Sequence, residues 1–392
     1  MIARRLALAG AASFATMAAL RVCDPLLPRL ASEFVIGTGQ AGHTVSAFAI
    51  AYGVALLAYG PLADRIGKFT VVTLATLACA AGALACAVAP SFESLIAARA
   101  LSGAAAAGVT PLAMAWIGDS VPYERRQAVL ARLIGATTLG MIAAQALGGV
   151  LADTVGWRSA FVLLALLFAV VGAFMALELR GGDASAGSAP AAPSTLDAMR
   201  SVLGGAWSRR VLLFAFVEGV FVFGGLAFLP SHLHRTFGLP MGAAGGVLVL
   251  YGAGGLIYSR YASALLRRVG EAGLARLGGA LMCGWFALLA VLPSWPWALA
   301  ACLAGGLGFY MLHNTLQTHA TQMAPTLRAT AVTTFSSSLF LGHSLGVAAA
   351  AVVVDRHSAI PVFAVSALAL PLLAWRFAAA VQRRQAQSLN QP

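Results

Sequence analysis

Twelve apolar runs, each near or above the roughly 20 residues a helix needs to cross a bilayer, divide this 392-residue chain. Six fall at about 6–30, 42–62, 70–90, 93–117, 128–152 and 158–179. Six more fall at about 211–230, 241–265, 273–293, 296–322, 328–354 and 359–381. Hydrophobic residues make up 60% of the chain and charged ones only 10%, against about a quarter charged in soluble domains. A soluble fold has no room to hide that apolar surface, whereas lipid accepts it. Lipid also leaves no water for bare backbone groups, so spanning segments must be helices or a closed barrel. Alternating ten-residue strands are absent, and the expected class is all-α integral membrane.

Between the two sets, Arg180 to Arg210 carries Gly181, Gly182, Pro190, Pro193 and several Ser and Ala. This composition predicts a flexible linker ending in an amphipathic stretch near Leu196 to Trp207. The expected organisation is a six-helix half over 1–180, a cytoplasmic linker over 181–210, and a second six-helix half over 211–392 with a short cytoplasmic tail. With the N-terminus inside, 18 Lys and Arg fall on the inner side and four, Arg29, Arg158, Arg235 and Arg356, fall outside. That asymmetry predicts both termini in the cytoplasm. It also accounts for the net charge of +12, since the basic residues sit in short loops and no basic stripe points to nucleic acid. Arg4, Arg5 and Leu6 to Leu20 resemble a signal peptide, but cleavage would leave an odd helix count and turn the arginine-rich loops outward. The five cysteines, Cys23, Cys79, Cys86, Cys283 and Cys302, lie in apolar runs without a C-x-x-C pair. They read as small buried hydrophobes, with no metal set and no disulfide framework.

The halves echo each other. Leu62-Ala63-Asp64-Arg65-Ile66-Gly67 follows the second run, and Leu265-Leu266-Arg267-Arg268-Val269-Gly270 follows the eighth. Duplicated halves are a transporter architecture with the substrate site between the repeats. Gly60-Pro61-Leu62-Ala63-Asp64-Arg65-Ile66-Gly67-Lys68 resembles the loop 2–3 signature of the major facilitator superfamily, in its drug/proton antiporter (arabinose-efflux-permease-like) branch. Arg99-Ala100-Leu101-Ser102-Gly103 fits that family's R-x-x-x-G pattern in helix 4, and Asp24-Pro25-Leu26-Leu27-Pro28 closes helix 1 as members often do. Helix 5 carries Gly135, Gly140, Gly148 and Gly149, but the Gly-Pro expected before the glycine pair reads Ala144-Gln145. The resemblance covers essentially the whole chain. It implies the major facilitator fold, twelve helices in two halves, in a bacterial inner membrane. It further implies a cavity lined by helices 1, 4, 7 and 10, and export in exchange for protons, as in multidrug resistance.

Particular residues sharpen the expectation. Asp64 and Arg65 end helix 2; Asp64 can meet the positive end of helix 11 near Arg328, and Arg65 can pair with Asp119. With Gly60, Gly67 and Lys68 they form a candidate conformational latch, the plainer alternative being a solvated charge cluster. Ionisable groups within spans are costly and point to function. Asp24 can pair with Arg99 at similar depth, or with Arg21 at i,i+3. A tight arginine partner makes Asp24 a structural charge, and an isolated site lets it carry a proton. Glu218 has no basic residue within a turn of its own helix. It is a second candidate proton carrier, or a protonated packing group. His313, Asn314 and Gln317 lie near the level of Thr333 to Ser336, where they could bind a polar substrate, close a gate or simply pack. His343 and Gln145 are further polar groups in apolar helices. The helix-5 glycines suggest close packing against another helix, or a hinge.

No H-E-x-x-H, G-x-S-x-G, phosphate loop or selectivity filter appears, so an enzyme, a channel and an ATP-driven pump are set aside. The expectation is a monomeric secondary transporter without cofactor or metal. Its partners would be the bilayer, protons and a small molecule, a hydrophobic or cationic compound first and a sugar or metabolite next. Proton-linked uptake comes third.

Overall fold

The computed structural model describes residues 2–180 and 195–389. It is all helical, with no strand among the described residues. In chain order, α1 (Ile2–Arg21) and α2 (Leu27–Phe34) are followed by α3 (Thr38–Ala41), α4 (His43–Ile66), α5 (Lys68–Ala87), α6 (Phe92–Ala106), α7 (Thr110–Ser120), α8 (Tyr123–Thr154) and α9 (Trp157–Arg180). The chain continues through α10 (Thr195–Gly204), α11 (Ala206–Leu226), α12 (Leu229–Phe237), α13 (Met241–Val247), α14 (Val249–Ala290), α15 (Trp297–Gln322), α16 (Arg328–Arg356) and α17 (Ile360–Leu389). Among the described residues, 11 helical stretches are long and apolar enough to cross a membrane. One of them, Met241–Ala290, has 50 residues, about 75 Å of helix and enough for two crossings. Its path turns at Gly270, whose φ of 66° and ψ of 177° leave the helical region. The twelve expected crossings are therefore present.

Proline explains where crossings break. A proline has no N–H to donate and is best accommodated in a helix's first turn, although Pro61 and Pro371 lie inside α4 and α17, which stay continuous. The first crossing stops at Arg21, passes through a 3₁₀ turn at Asp24–Leu26, and restarts as α2 with Pro28 in its first turn. Asp24 thus sits at an internal break rather than at the helix end, because the chain stays helical to Phe34. The seventh crossing repeats the pattern, with α12 restarting at Leu229-Pro230. The sequence echo between the halves also has a structural counterpart. Gly67 (φ 91°) joins α4 to α5, and Gly270 (φ 66°) turns the chain at the matching place, a conformation that penalises any side chain.

The chain forms two compact units, Met1–Ala198 with Pro240–Gly246, and Met199–Leu239 with Val247–Pro392. In the first, α1 packs on α8, α4 on α6, and α5 on α6 and α9. In the second, α14 packs on α15 and α17, and α11 on α16. Residues 181–194 of the expected linker lie outside the described residues. The amphipathic stretch stops earlier than expected, since α10 ends at Gly204 and Trp207 belongs to α11. Arg209 terminates α10 by donating to the carbonyls of Leu203 (3.0 Å) and Gly204 (2.8 Å), which have no partner further along the helix.

Candidate functional site

The first unit places Arg21, Asp24 and Arg99, three of its buried charged residues, around the break after α1. Asp24 is fully buried, and its Oδ2 accepts from Arg21 Nη1 at 3.3 Å and from Gln145 Nε2 of α8 at 3.4 Å. Asp24 Oδ1 is buried and has no hydrogen-bond partner among the described residues. Arg99 does not pair with Asp24. Its Nε donates to Thr44 O at 3.0 Å and its Nη1 to Ala19 O at 2.9 Å, while the guanidinium lies 4.3 Å from the centre of the Phe48 ring. The physical reason is the break itself: where α1 ends, Ala19 O is available to a cation, and a helix C-terminus attracts one. Arg99 therefore ties α6 to α1 and α4, and Arg21 supplies the counter-charge to Asp24.

The second unit holds a buried carboxylate of its own, paired with an imidazole. Glu218 of α11 is fully buried and lacks a partner on its own helix, and α15 supplies one: His313 Nδ1 lies 2.9 Å from Glu218 Oε2. Glu218 Oε1 has no hydrogen-bond partner among the described residues. The imidazole is stacked on Phe309, with centroids 5.0 Å apart, and lies 5.6 Å from Phe335 of α16. Two aromatic faces thus hold the ring where it can meet the acid. Asn314 is half-buried against the Tyr258 hydroxyl, and Gln317 is exposed.

At the loop signature, Asp64 and Arg65 are exposed at the end of α4. Asp119 is paired with Lys68 Nζ, not with Arg65. Lys68 opens α5, directly after the Gly67 turn, whereas Arg65 is still on the last turn of α4. A Cβ at Gly60 would meet nothing within 4 Å. On α8 the glycines differ. A Cβ at Gly140 would lie 2.1 Å from Phe14 O, at Gly148 3.3 Å from Val22 O, and at Gly149 2.3 Å from Met241 O. Gly135 departs from the expected packing, because a Cβ there would meet nothing within 4 Å and no neighbouring helix demands its glycine.

Sequence comparison bears on the same chain. A profile described as Major Facilitator Superfamily matches residues 9–347. The chain belongs to the major facilitator superfamily. Among curated relatives it is 26% identical over 335 residues to the Bacillus subtilis "Uncharacterized MFS-type transporter YceJ", covering 82% of each chain. It is 32% identical over 301 residues to a "Chloramphenicol resistance protein" of Streptomyces lividans, covering 75% of this chain and 74% of that one. The crystal structure of the nucleoside transporter NupG superposes with a TM-score of 0.76 at 16% identity, covering 96% of this chain and 98% of that one. At that identity the likeness shows the major facilitator fold alone. A multi-pass membrane transporter acting on a small molecule follows from family membership.

Three contacts of this major facilitator protein were not legible in its sequence. His313 as partner of Glu218 joins residues far apart in the chain, and no spacing rule links α11 to α15. Lys68 rather than Arg65 as partner of Asp119 depends on which side of a turn each side chain leaves. Gln145 as partner of Asp24 did leave a trace: it stands where the resemblance expects a proline.

Proposed function

We propose that this protein is a proton-coupled exporter of small hydrophobic or cationic compounds, in which two six-helix halves, 1–180 and 211–392 joined by 181–210, alternate access to a central site. The observation that carries this reading is the pair of fully buried carboxylates. Asp24 and Glu218 each have a basic partner on one oxygen and no hydrogen-bond partner on the other among the described residues. Burying charge is expensive, and a purely structural ion pair needs its remaining lone pairs satisfied. An acid with one oxygen left over has a place for a proton. Aromatic rings around His313, together with the resistance function in the Streptomyces relative's printed name, support an apolar cargo and outward direction. Asp64, Arg65 and the Lys68–Asp119 pair act in this reading as the latch that opens and closes the inner side.

The test uses proteoliposomes enclosing a pH-sensitive dye, challenged with chloramphenicol, a lipophilic cation, a nucleoside and a sugar. Chloramphenicol or the cation is expected to evoke proton movement that falls to the empty-liposome level in Glu218→Gln. Asp64→Asn is expected to slow the wild-type signal without abolishing it. Substrate flux without any proton movement, equal in wild type and Glu218→Gln, would overturn proton coupling. A sugar response that depends on Asn314 and Gln317 would favour the second reading, a sugar or metabolite exporter. Residence in an inner membrane with both termini cytoplasmic belongs to the same proposal. Gln387→Cys, at an exposed position, should react with a membrane-impermeant maleimide only after cells are opened, and labelling of intact cells would reverse the orientation.

A further inference from the structure

The Asp24 site and a close backbone contact of α8 share one residue. Gln145 Nε2 donates to Asp24 Oδ2 at 3.4 Å. On the other side of the same residue, a Cβ built on Gly245 of α13 would lie 2.1 Å from Gln145 O and 3.2 Å from Pro25 Cβ. The glycine therefore rests on the residue that holds Asp24 and on the proline that follows Asp24. The contact continues along α8. A Cβ at Gly149 would lie 2.3 Å from Met241 O, one at Gly242 would lie 2.7 Å from Val150 Cγ2, and Gly242 N donates to Asp153 Oδ2 at 2.8 Å. Segment 240–246 is part of the same compact unit as α8. From Gln145 to Asp153, then, α8 and α13 meet backbone to backbone at Gly149 and Gly245, with the Val150 side chain set against Gly242.

The chemistry of the amide suits this position. A carboxylate needs a donor and a carboxylic acid offers one. A primary amide has both, an NH₂ for the ionised form and a carbonyl for the protonated form. The arginines around Asp24 only donate, and the Thr44 hydroxyl gives its proton to Ala41 O at 2.8 Å. Arg21 on its own helix and Arg99 from α6 are fixed cations, Cys23 is its buried neighbour, and α4 contributes Thr44, which is near Cys23. The charged residues of α2 face elsewhere, with Glu33 bound to Trp157 and Arg158. From α13 (Met241–Val247) there is no titratable group at all.

We propose that Gln145 is a positioning residue that couples the protonation of Asp24 to the packing of α8 against α13. Taking up a proton changes which end of the amide Asp24 requires, the amide turns, and the α8 backbone under Gly245 shifts with it. The coupling rests on Asp24 being a proton site, as proposed above.

The experiment follows Asp24 directly in the full-length protein, without a transport substrate. Infrared difference spectra of the reconstituted transporter are titrated with pH, and the carboxylic-acid carbonyl band absent from Asp24→Asn is assigned to Asp24. Gln145→Met keeps the length and apolar stem and removes the amide. Its Asp24 midpoint is expected up to about one pH unit above wild type, because the hydrogen bond lost from the ionised acid is stronger than the one lost from the protonated acid. Amide hydrogen exchange of residues 241–247 supplies the second readout. In the wild type, its rate relative to the unfolded chain should change several-fold across the Asp24 midpoint, the scale of a ~1 kcal/mol change in local opening, and the change should vanish in Gln145→Met. An unmoved midpoint, or exchange that changes equally in both proteins, overturns the coupling. Failure of the proton-site reading looks different: an Asp24 band that titrates and shifts as expected while Asp24→Asn keeps substrate-driven proton flux leaves the coupling standing and removes Asp24 as carrier. If no band titrates, both fall.

Discussion

Asp24→Asn is expected to abolish substrate-driven proton movement in proteoliposomes while the protein stays folded, and Asp24→Ala is expected to lose the fold as well. Asparagine is the permanent stand-in for the protonated acid: it keeps an acceptor for Arg21 and occupies the same volume, but it cannot release a proton. If the cycle visits the protonated acid, the surrounding protein already tolerates the neutral form. Alanine removes the acceptor as well as the charge, so that Arg21 Nη1, on a side chain 2% exposed, and Gln145 Nε2 both lose the oxygen they donate to. Removing one member of a buried pair costs about 3–5 kcal/mol, enough to lower the melting transition of the detergent-solubilised protein strongly. Wild-type proton movement in Asp24→Asn would remove Asp24 from the mechanism, and an Asp24→Ala protein that melts with the wild type would show that the site needs no acceptor at residue 24.

The second large effect concerns the seam between α11 and α16. A Cβ at Gly342 would lie 2.0 Å from Phe216 O, and one at Gly346 would lie 2.1 Å from Val220 O. From the other helix, a Cβ at Gly219 would lie 2.3 Å from Leu339 O, and one at Gly224 would lie 2.9 Å from Gly346 O. The obstacle in each case is backbone, which has no rotamer to turn away. Small residues at such spacing let membrane helices approach closely and gain dispersion contacts, the main attraction available where lipid is as apolar as the side chains. Gly342→Leu should force the helices apart and cost at least about 3 kcal/mol, the upper end of overpacking penalties. It should also move Glu218, next to Gly219, away from His313. Gly284→Leu on α14 is the control, because a Cβ there meets nothing within 4 Å. Equal melting temperatures for the two variants would show that the seam yields.

Much of this was written in local sequence. Apolar runs of spanning length mark the crossings, since lipid demands continuous helix and composition reports it directly. The positive φ of Gly67 and Gly270 was foreshadowed by the matching segments that precede them. The restarts at Pro28 and Pro230 follow from a ring that cannot donate a hydrogen bond, although the persistence of helix beyond Asp24 did not show. A proline says that a ladder is interrupted, not whether neighbouring helices will hold the next stretch in line.

Asp24, Arg21, Arg99, Glu218 and His313 stood out because ionisable groups are rare in apolar helices. Their pairing did not. Asp24 had two arginines within reasonable reach. Arg99 was diverted to the carbonyls of Ala19 and Thr44 by the end of a neighbouring helix that no residue near Arg99 encodes. The same limit hid the contact of Glu218 with His313. The amino-acid sequence by itself determined which segments are helical and which ionisable groups they carry, because each depends on the residue and its near neighbours. Tertiary structure alone decided which acid meets which base and which glycine lies against which backbone, because those contacts depend on the rotation and height of helices that meet only when packed.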